Sequence, residues 1–214
     1  VIGSVGNEVT QERDGIQIFD PTKQVGLVAT NSLTLYTSGL MNDVYQANSI
    51  NINSDNSLEL AGTINAGKQI NINAKNLTLN QASSVNISGD SSFDSSTWDL
   101  SGEFENNGNI NSTSALSISS NSFTNNNDID VGGSFYINSN SIINSKETIG
   151  DTVANLSSKG LLNISGVNGS NNDRAATFVN DGEIVADAGF NLYSDSIVNK
   201  NNIKATGDSD WRFS

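Results

Sequence analysis

The chain has 214 residues with 23 acidic and 10 basic side chains, a formal net charge of −13, a single Pro, no Cys and no His, and its 34 Asn and 32 Ser make up nearly a third of it. Those figures exclude a disulfide framework, thiolate or imidazole metal centres and His-based catalytic triads. A nucleic acid would meet a repulsive field, so none is expected as a partner.

Apolar residues at 35% are too frequent, and charged residues at 15% too sparse, for charge-driven disorder. No run approaches the 18 apolar residues of a membrane span, so no membrane insertion of this segment is expected. The start, Val1-Ile-Gly-Ser-Val-Gly, lacks the basic and apolar regions of a signal peptide, which fits an internal piece of something larger and equally a cytosolic protein.

Along the chain, pairs of apolar residues at i and i+2 recur. Ile16/Ile18 begin the series within residues 1–30, which read as an irregular N-terminal coil or cap. Leu33/Leu35 and Ile50/Ile52 read as sides one and three of an earlier, looser unit whose middle around Leu40 to Tyr45 takes no phase, and Ile16/Ile18 as the beginning of a further one. Leu58/Leu60, Ile64/Ala66 and Ile70/Ile72 form the next unit, and Leu77/Leu79, Val85/Ile87 and Phe93 the one after.

From there the repeat is regular at about 19 residues. Trp98/Leu100, Phe104/Asn106 and Ile110/Ser112 are followed by Leu116/Ile118, Phe123/Asn125 and Ile129/Val131. Phe135/Ile137, Ile142/Asn144 and Ile149 come next, and Phe190/Leu192, Ile197/Asn199 and Ile203/Ala205 close the series. Between Asn144 and Asn180 the spacing stretches to about 36 residues, read as two loop insertions near 150–160 and 167–174 flanking Leu162/Ile164. Residues 208–214 read as a tail or the start of a further coil.

Residues i and i+2 of a strand share a face, so each pair sends two side chains to one side. Three pairs per unit, separated by Asn, Gly, Ser and Asp that tolerate corner geometry, give three short strands and three turns. One such coil cannot bury its own apolar side chains, so the next must stack on it with its strands parallel. The expected fold is therefore all-β, a parallel β-helix over residues 31–207 with about eight coils.

Asn106, Asn125, Asn144, Asn180 and Asn199 share one position of the repeat. Two geometries fit them: an inward amide ladder running from coil to coil, or a corner in which each amide bonds its own backbone. Asp128, Glu147 and Glu183 precede the third side and would stand about 5 Å apart if they stack on consecutive coils. Such acids suit cation binding or glycoside hydrolysis, but solvated corners attract Asp and Glu anyway, and Asn109 and Asn202 fill the same place. No catalytic, cofactor-binding or metal-ligating residue is assigned.

Six Asn-x-Ser/Thr triplets, at Asn76, Asn86, Asn111, Asn155, Asn163 and Asn168, are what this composition yields by chance. Trp98 falls on a core position, and Trp211 lies beyond the last complete unit.

On Phe104-Glu-Asn-Asn-Gly-Asn-Ile110, Phe178-Val-Asn-Asp-Gly-Glu-Ile184 and the period, the chain from Leu58 to Gly207 resembles filamentous haemagglutinin-type exoproteins exported by two-partner secretion. The resemblance implies a right-handed β-helix and a secreted or bacterial cell-surface location. It implies non-enzymatic adhesion to a host or neighbouring-cell receptor or glycan, or service as the stalk of a contact-dependent toxin. An outer-membrane secretion partner would serve the full-length protein. The family's secretion domain carries Asn-Pro motifs, which are not matched here, since the one proline is Pro21 in Phe-Asp-Pro. The alternative is a polysaccharide-processing or glycan-binding β-helix of the lyase or tailspike type. Its usual basic groove is hard to build from three Arg: Arg13, Arg174 and Arg212.

Overall fold

The computed structural model describes residues 8–10, 17–18, 26–37, 39–90, 92–145, 153–168 and 173–213. Among them every regular element is a strand. Asn, Ser, Thr, Val and Ile dominate these segments, and their dense β-branching and side-chain hydrogen bonding disfavour helix.

The strands form three parallel ladders, each visited in turn as the chain advances. Ladder one stacks the strand Ser32–Tyr36, the second halves of Val44–Asn53 and Thr63–Ala74, the strand Ser95–Leu100, the first halves of Ala115–Asn125 and Phe135–Asn144, and then Leu162–Ser165, Phe190–Tyr193 and Ser209–Arg212. Ladder two stacks Gly39–Met41, Ser57–Leu60, Asn76–Leu79, Glu103–Asn106, the ends of Ala115–Asn125 and Phe135–Asn144, Thr177–Asn180 and Ile197–Asn199. Ladder three stacks Gly26–Val28, the starts of Val44–Asn53 and Thr63–Ala74, and then Ser84–Ile87, Asn109–Ser112, Ile129–Val131, Asn155–Ser158, Glu183–Ala186 and Ile203–Ala205. Two pairings are antiparallel: Glu8–Thr10 lies along Ser32–Tyr36 and Gln17–Ile18 along Gly26–Val28, covering the first rungs of ladders one and three.

Along most strands buried positions alternate with less buried ones, which files the core into columns. In ladder one Leu35, Ile52, Ile72, Trp98, Ile118, Ile137, Ile164 and Leu192 stand one above another, all buried. In ladder two Leu58, Leu77, Phe104, Phe123, Ile142 and Phe178 do the same. The Phe104 and Phe123 rings lie 5.0 Å apart, centroid to centroid, in a tilted stack, and Trp98 tilts against Phe104 at 6.0 Å. Ring pairs at these separations add to the burial of each side chain.

Four expectations from the sequence are corrected. Leu33/Leu35 and Ile50/Ile52 are not two sides of one unit; they are successive rungs of ladder one, paired directly, with Met41, Tyr45 and Ala47 supplying the sides between. Phe93 is 88% exposed, at the tip of a loop closed by Asp90 and Asp94, whose carboxylates accept the Ser92 and Asp90 N–H groups. The core position expected of it belongs to Ser96 and Trp98. Ser96 Oγ accepts the Ile70 N–H at 3.0 Å and the Trp98 indole N–H donates to the Ile70 carbonyl at 3.1 Å, so two side chains satisfy backbone groups where the ladder is open. Trp98 accordingly registers with Ile118, not with Leu116.

The remaining correction concerns the stretch near 150–160. Asn155–Ser158 is a strand that holds the third side, with Leu156 between Ile129 and Ile184. Ile149, expected there, lies outside the described residues, as does Ile16. The second long connection begins after Leu162–Ser165, and its base is closed by the Gly166 N–H on the Asp173 carbonyl at 2.8 Å.

Candidate functional site

The shared Asn position is an inward column. Asn106 Nδ2 donates to Asn125 Oδ1 at 2.8 Å, Asn125 to Asn144 at 3.0 Å, Asn144 to Asn180 at 2.8 Å and Asn180 to Asn199 at 2.8 Å. The first four are fully buried. Each Nδ2 also reaches a backbone carbonyl of the following rung, those of Asp128, Asn155, Glu183 and Asn202 in turn. The corner geometry coexists with the ladder, since Asn106 Oδ1 accepts the Gly108 N–H two residues on. Gly182 follows Asn180 in the same way, and a Cβ there would overlap the Ala154 carbonyl and the Asn144 amide. The column consumes its own hydrogen-bonding capacity, so its role is structural.

The three acids do not assemble. Asp128 and Glu183 are separated by Asn155, which pairs with Glu183 and stands in the rung that follows Asp128. Two rung spacings put their backbones about 10 Å apart, twice the separation that consecutive coils would give. Glu147 lies outside the described residues. Among the described residues no group of three acids is placed to hold a metal ion. Burial, and then the charge of Asp130, push the Asp128 carboxyl above its ordinary range. At the far end, burial and the Asp210 carboxylate raise the Tyr193 phenol, while Arg212 beside Asp210 holds that carboxyl low.

A feature without any sequence motif runs along the corner between ladders three and one. A cavity of about 630 Å³ is walled by Asn86, Asn111, Asp130 and Ser157 on the outer face of ladder three, with Thr113 and Lys159 at the corner. A second, of about 240 Å³, is walled by Thr30, Gln46, Asn48 and Asn65 on the preceding rungs, and Ser88 belongs to both. Together they trace a groove parallel to the stacking direction. The buried column beneath it mixes small and larger groups: Ala29, Ala47, Ala66, Ser112 and Ser158, with Ile87 and Val131 among them. Only the register, which sets these corners one above another, makes the groove visible.

The loop residues Val167 and Val153 are exposed, and Arg174 pairs with Asp195 at 3.7 Å. Comparison with protein-family models, with curated proteins and with solved structures returned no match.

Proposed function

We propose that the chain is a right-handed parallel β-helix of about eight coils of about 19 residues, a rod segment of a secreted or surface-exposed bacterial adhesin. What carries the reading is the three parallel ladders, in register from rung to rung, filled by stacked apolar columns and one amide column. A chain that visits three ladders in rotation winds about one axis, and parallel crossover connections are right-handed with few exceptions. At roughly 4.8 Å per rung the stack is about 40 Å long. The likeness of Phe104–Ile110 and Phe178–Ile184 to filamentous haemagglutinin-type repeats supplies the adhesive role. A receptor or glycan on a host or neighbouring cell is the partner, and the full-length protein would need its outer-membrane secretion partner.

The rod is proposed to be non-enzymatic, with its long connections as recognition elements, since loops on a rigid scaffold are where specificity is placed. Labelled protein should bind a panel of bacterial and animal cells saturably, and deleting residues 167–174 should weaken that binding while leaving the thermal melt nearly unchanged. Absence of saturable binding to every surface in the panel would overturn the adhesive reading.

One observation favours the polysaccharide-processing alternative: Asp128 is an acid pushed toward its protonated form, two residues from the groove carboxylate Asp130. A depolymerisation assay decides between the two. Turnover abolished by Asp128→Asn or Glu183→Gln would defeat the non-enzymatic reading.

A further inference from the structure

The groove between ladders three and one has the reach and the chemistry of a polymer site. From Thr30 through Asn48, Gly67, Ser88, Thr113 and Gly132 to Lys159, its corner residues come from seven consecutive rungs. Six spacings of about 4.8 Å make it roughly 30 Å long. A ligand that follows it must be extended and linear.

Its wall offers amides and hydroxyls. Asn86 Nδ2 donates to Asn65 Oδ1 at 2.9 Å and Asn111 Nδ2 to Asn86 Oδ1 at 3.4 Å, which links these amides along the groove and leaves Asn111 Oδ1 as an open acceptor. The side chains of Gln46, Asn48, Thr30 and Ser88 are exposed and bond to none of the described residues. An amide presents both donors and acceptors, the complement of a hydroxyl that does the same. Charge is balanced and confined to one end, with the Asp130 carboxylate and the Lys159 ammonium.

Three ligand classes are disfavoured by these facts. A polyanion would have to approach a chain of net charge −13 for the sake of one ammonium group. A polycation finds one carboxylate, already engaged by Ser157 Oγ and Asn155 Nδ2. A peptide strand has no free edge to join, because the rungs that line the groove are paired on both sides.

We propose that this groove binds a neutral linear polysaccharide lying along the stacking direction, its hydroxyls bonded by the outward amides of ladder three. The proposal rests on the adhesive reading and names the class of surface ligand it would engage. Among the described residues no Trp, Tyr or Phe lines the groove, so affinity comes from repeated hydrogen bonds along the polymer and is lost with short oligosaccharides.

Affinity electrophoresis of the whole chain in native gels tests this, with the gels containing mixed-linkage β-glucan, galactomannan, dextran or dextran sulphate, alongside the cell-binding assay. At least one neutral polymer should retard the protein. Ser88→Leu, which fills the exposed point common to both cavities, should weaken retardation about tenfold. The double variant Gln46→Ala/Asn48→Ala, which removes donors without filling space, should weaken it in the same direction, and Thr97→Leu, on the outer face of ladder one, should not. Retardation by dextran sulphate alone, or retardation by a neutral polymer that both groove variants leave unchanged, overturns the proposal. So does the absence of retardation by every neutral polymer; saturable cell binding in that case leaves the adhesive reading standing without the groove.

Discussion

Position by position, Asn106, Asn125, Asn144 and Asn180 continue a column that Met41, Leu60 and Leu79 begin in ladder two. The same site therefore tolerates a hydrocarbon or an amide, provided its neighbours match. Asn125→Ala strands the Asn106 donor and the Asn144 acceptor in a buried stack, and unsatisfied buried groups of this kind cost about 2–5 kcal/mol together. Replacing all four by Leu removes donors and acceptors at once, and carbonyls such as that of Asp128 keep their ladder bonds, here from the Ile110 N–H. Urea unfolding should thus show the single variant to be less stable than the quadruple one, and Asn125→Leu alone, which strands the same two partners, to be less stable than the quadruple as well, an outcome that four equal and independent contributions could not produce.

Asp128 yields a pH prediction of definite sign. Its carboxyl is raised in the folded protein from an ordinary 3.8, so between that value and the folded value the native state binds more protons than the unfolded one. Stability contributed at this position falls as pH rises through the window. Asn109 and Asn202 already occupy equivalent places, so Asp128→Asn should raise the melting temperature at pH 7 and lose its advantage below about pH 4. An advantage that persists at pH 3 would assign the effect to packing instead.

Among the elements, regular pairs were readable and corners were not. Phe104/Asn106, Phe123/Asn125 and Phe178/Asn180 stand out because an aromatic and an amide recur at fixed spacing, and the structure aligns all three. Ser96 was missed because a buried hydroxyl has no hydropathy signal; it is inside because it accepts the Ile70 N–H. Phe93 misled for the opposite reason, being apolar yet placed by the hydrogen-bonded loop of Asp90 and Asp94 outside the ladder. The two Phe residues separate on mutation. Phe93→Ser should change stability by no more than about 0.5 kcal/mol, as for other surface sites. Phe123→Ala should cost about 3–5 kcal/mol, the toll of a large buried side chain. The groove escaped the sequence altogether, because corner residues from seven separate rungs form a channel only once the register stacks them.

For the molecule as a whole, each rung touches chiefly the rung before and the rung after, so stability is local and propagates along the stack. The two ends differ. Antiparallel segments cover the first rungs of ladders one and three, while on the last rungs Ile197, Ile203 and Ala205 are only partly buried and Trp211 is 42% exposed although its ring meets Phe190 edge-on at 5.5 Å. Among the described residues these inward side chains are covered by a rung on one side, so they make fewer contacts, and their strands keep backbone groups that water can reach. Amide hydrogen exchange should therefore be slowest in the rungs from Ile70 to Ile164 and fastest in Ile197–Arg212, with protection decaying stepwise toward that end. Exchange measured peptide by peptide checks this. A single protection level across all rungs would mean that the stack opens only as one cooperative unit, and nearest-neighbour stabilisation would then be too simple a description of it.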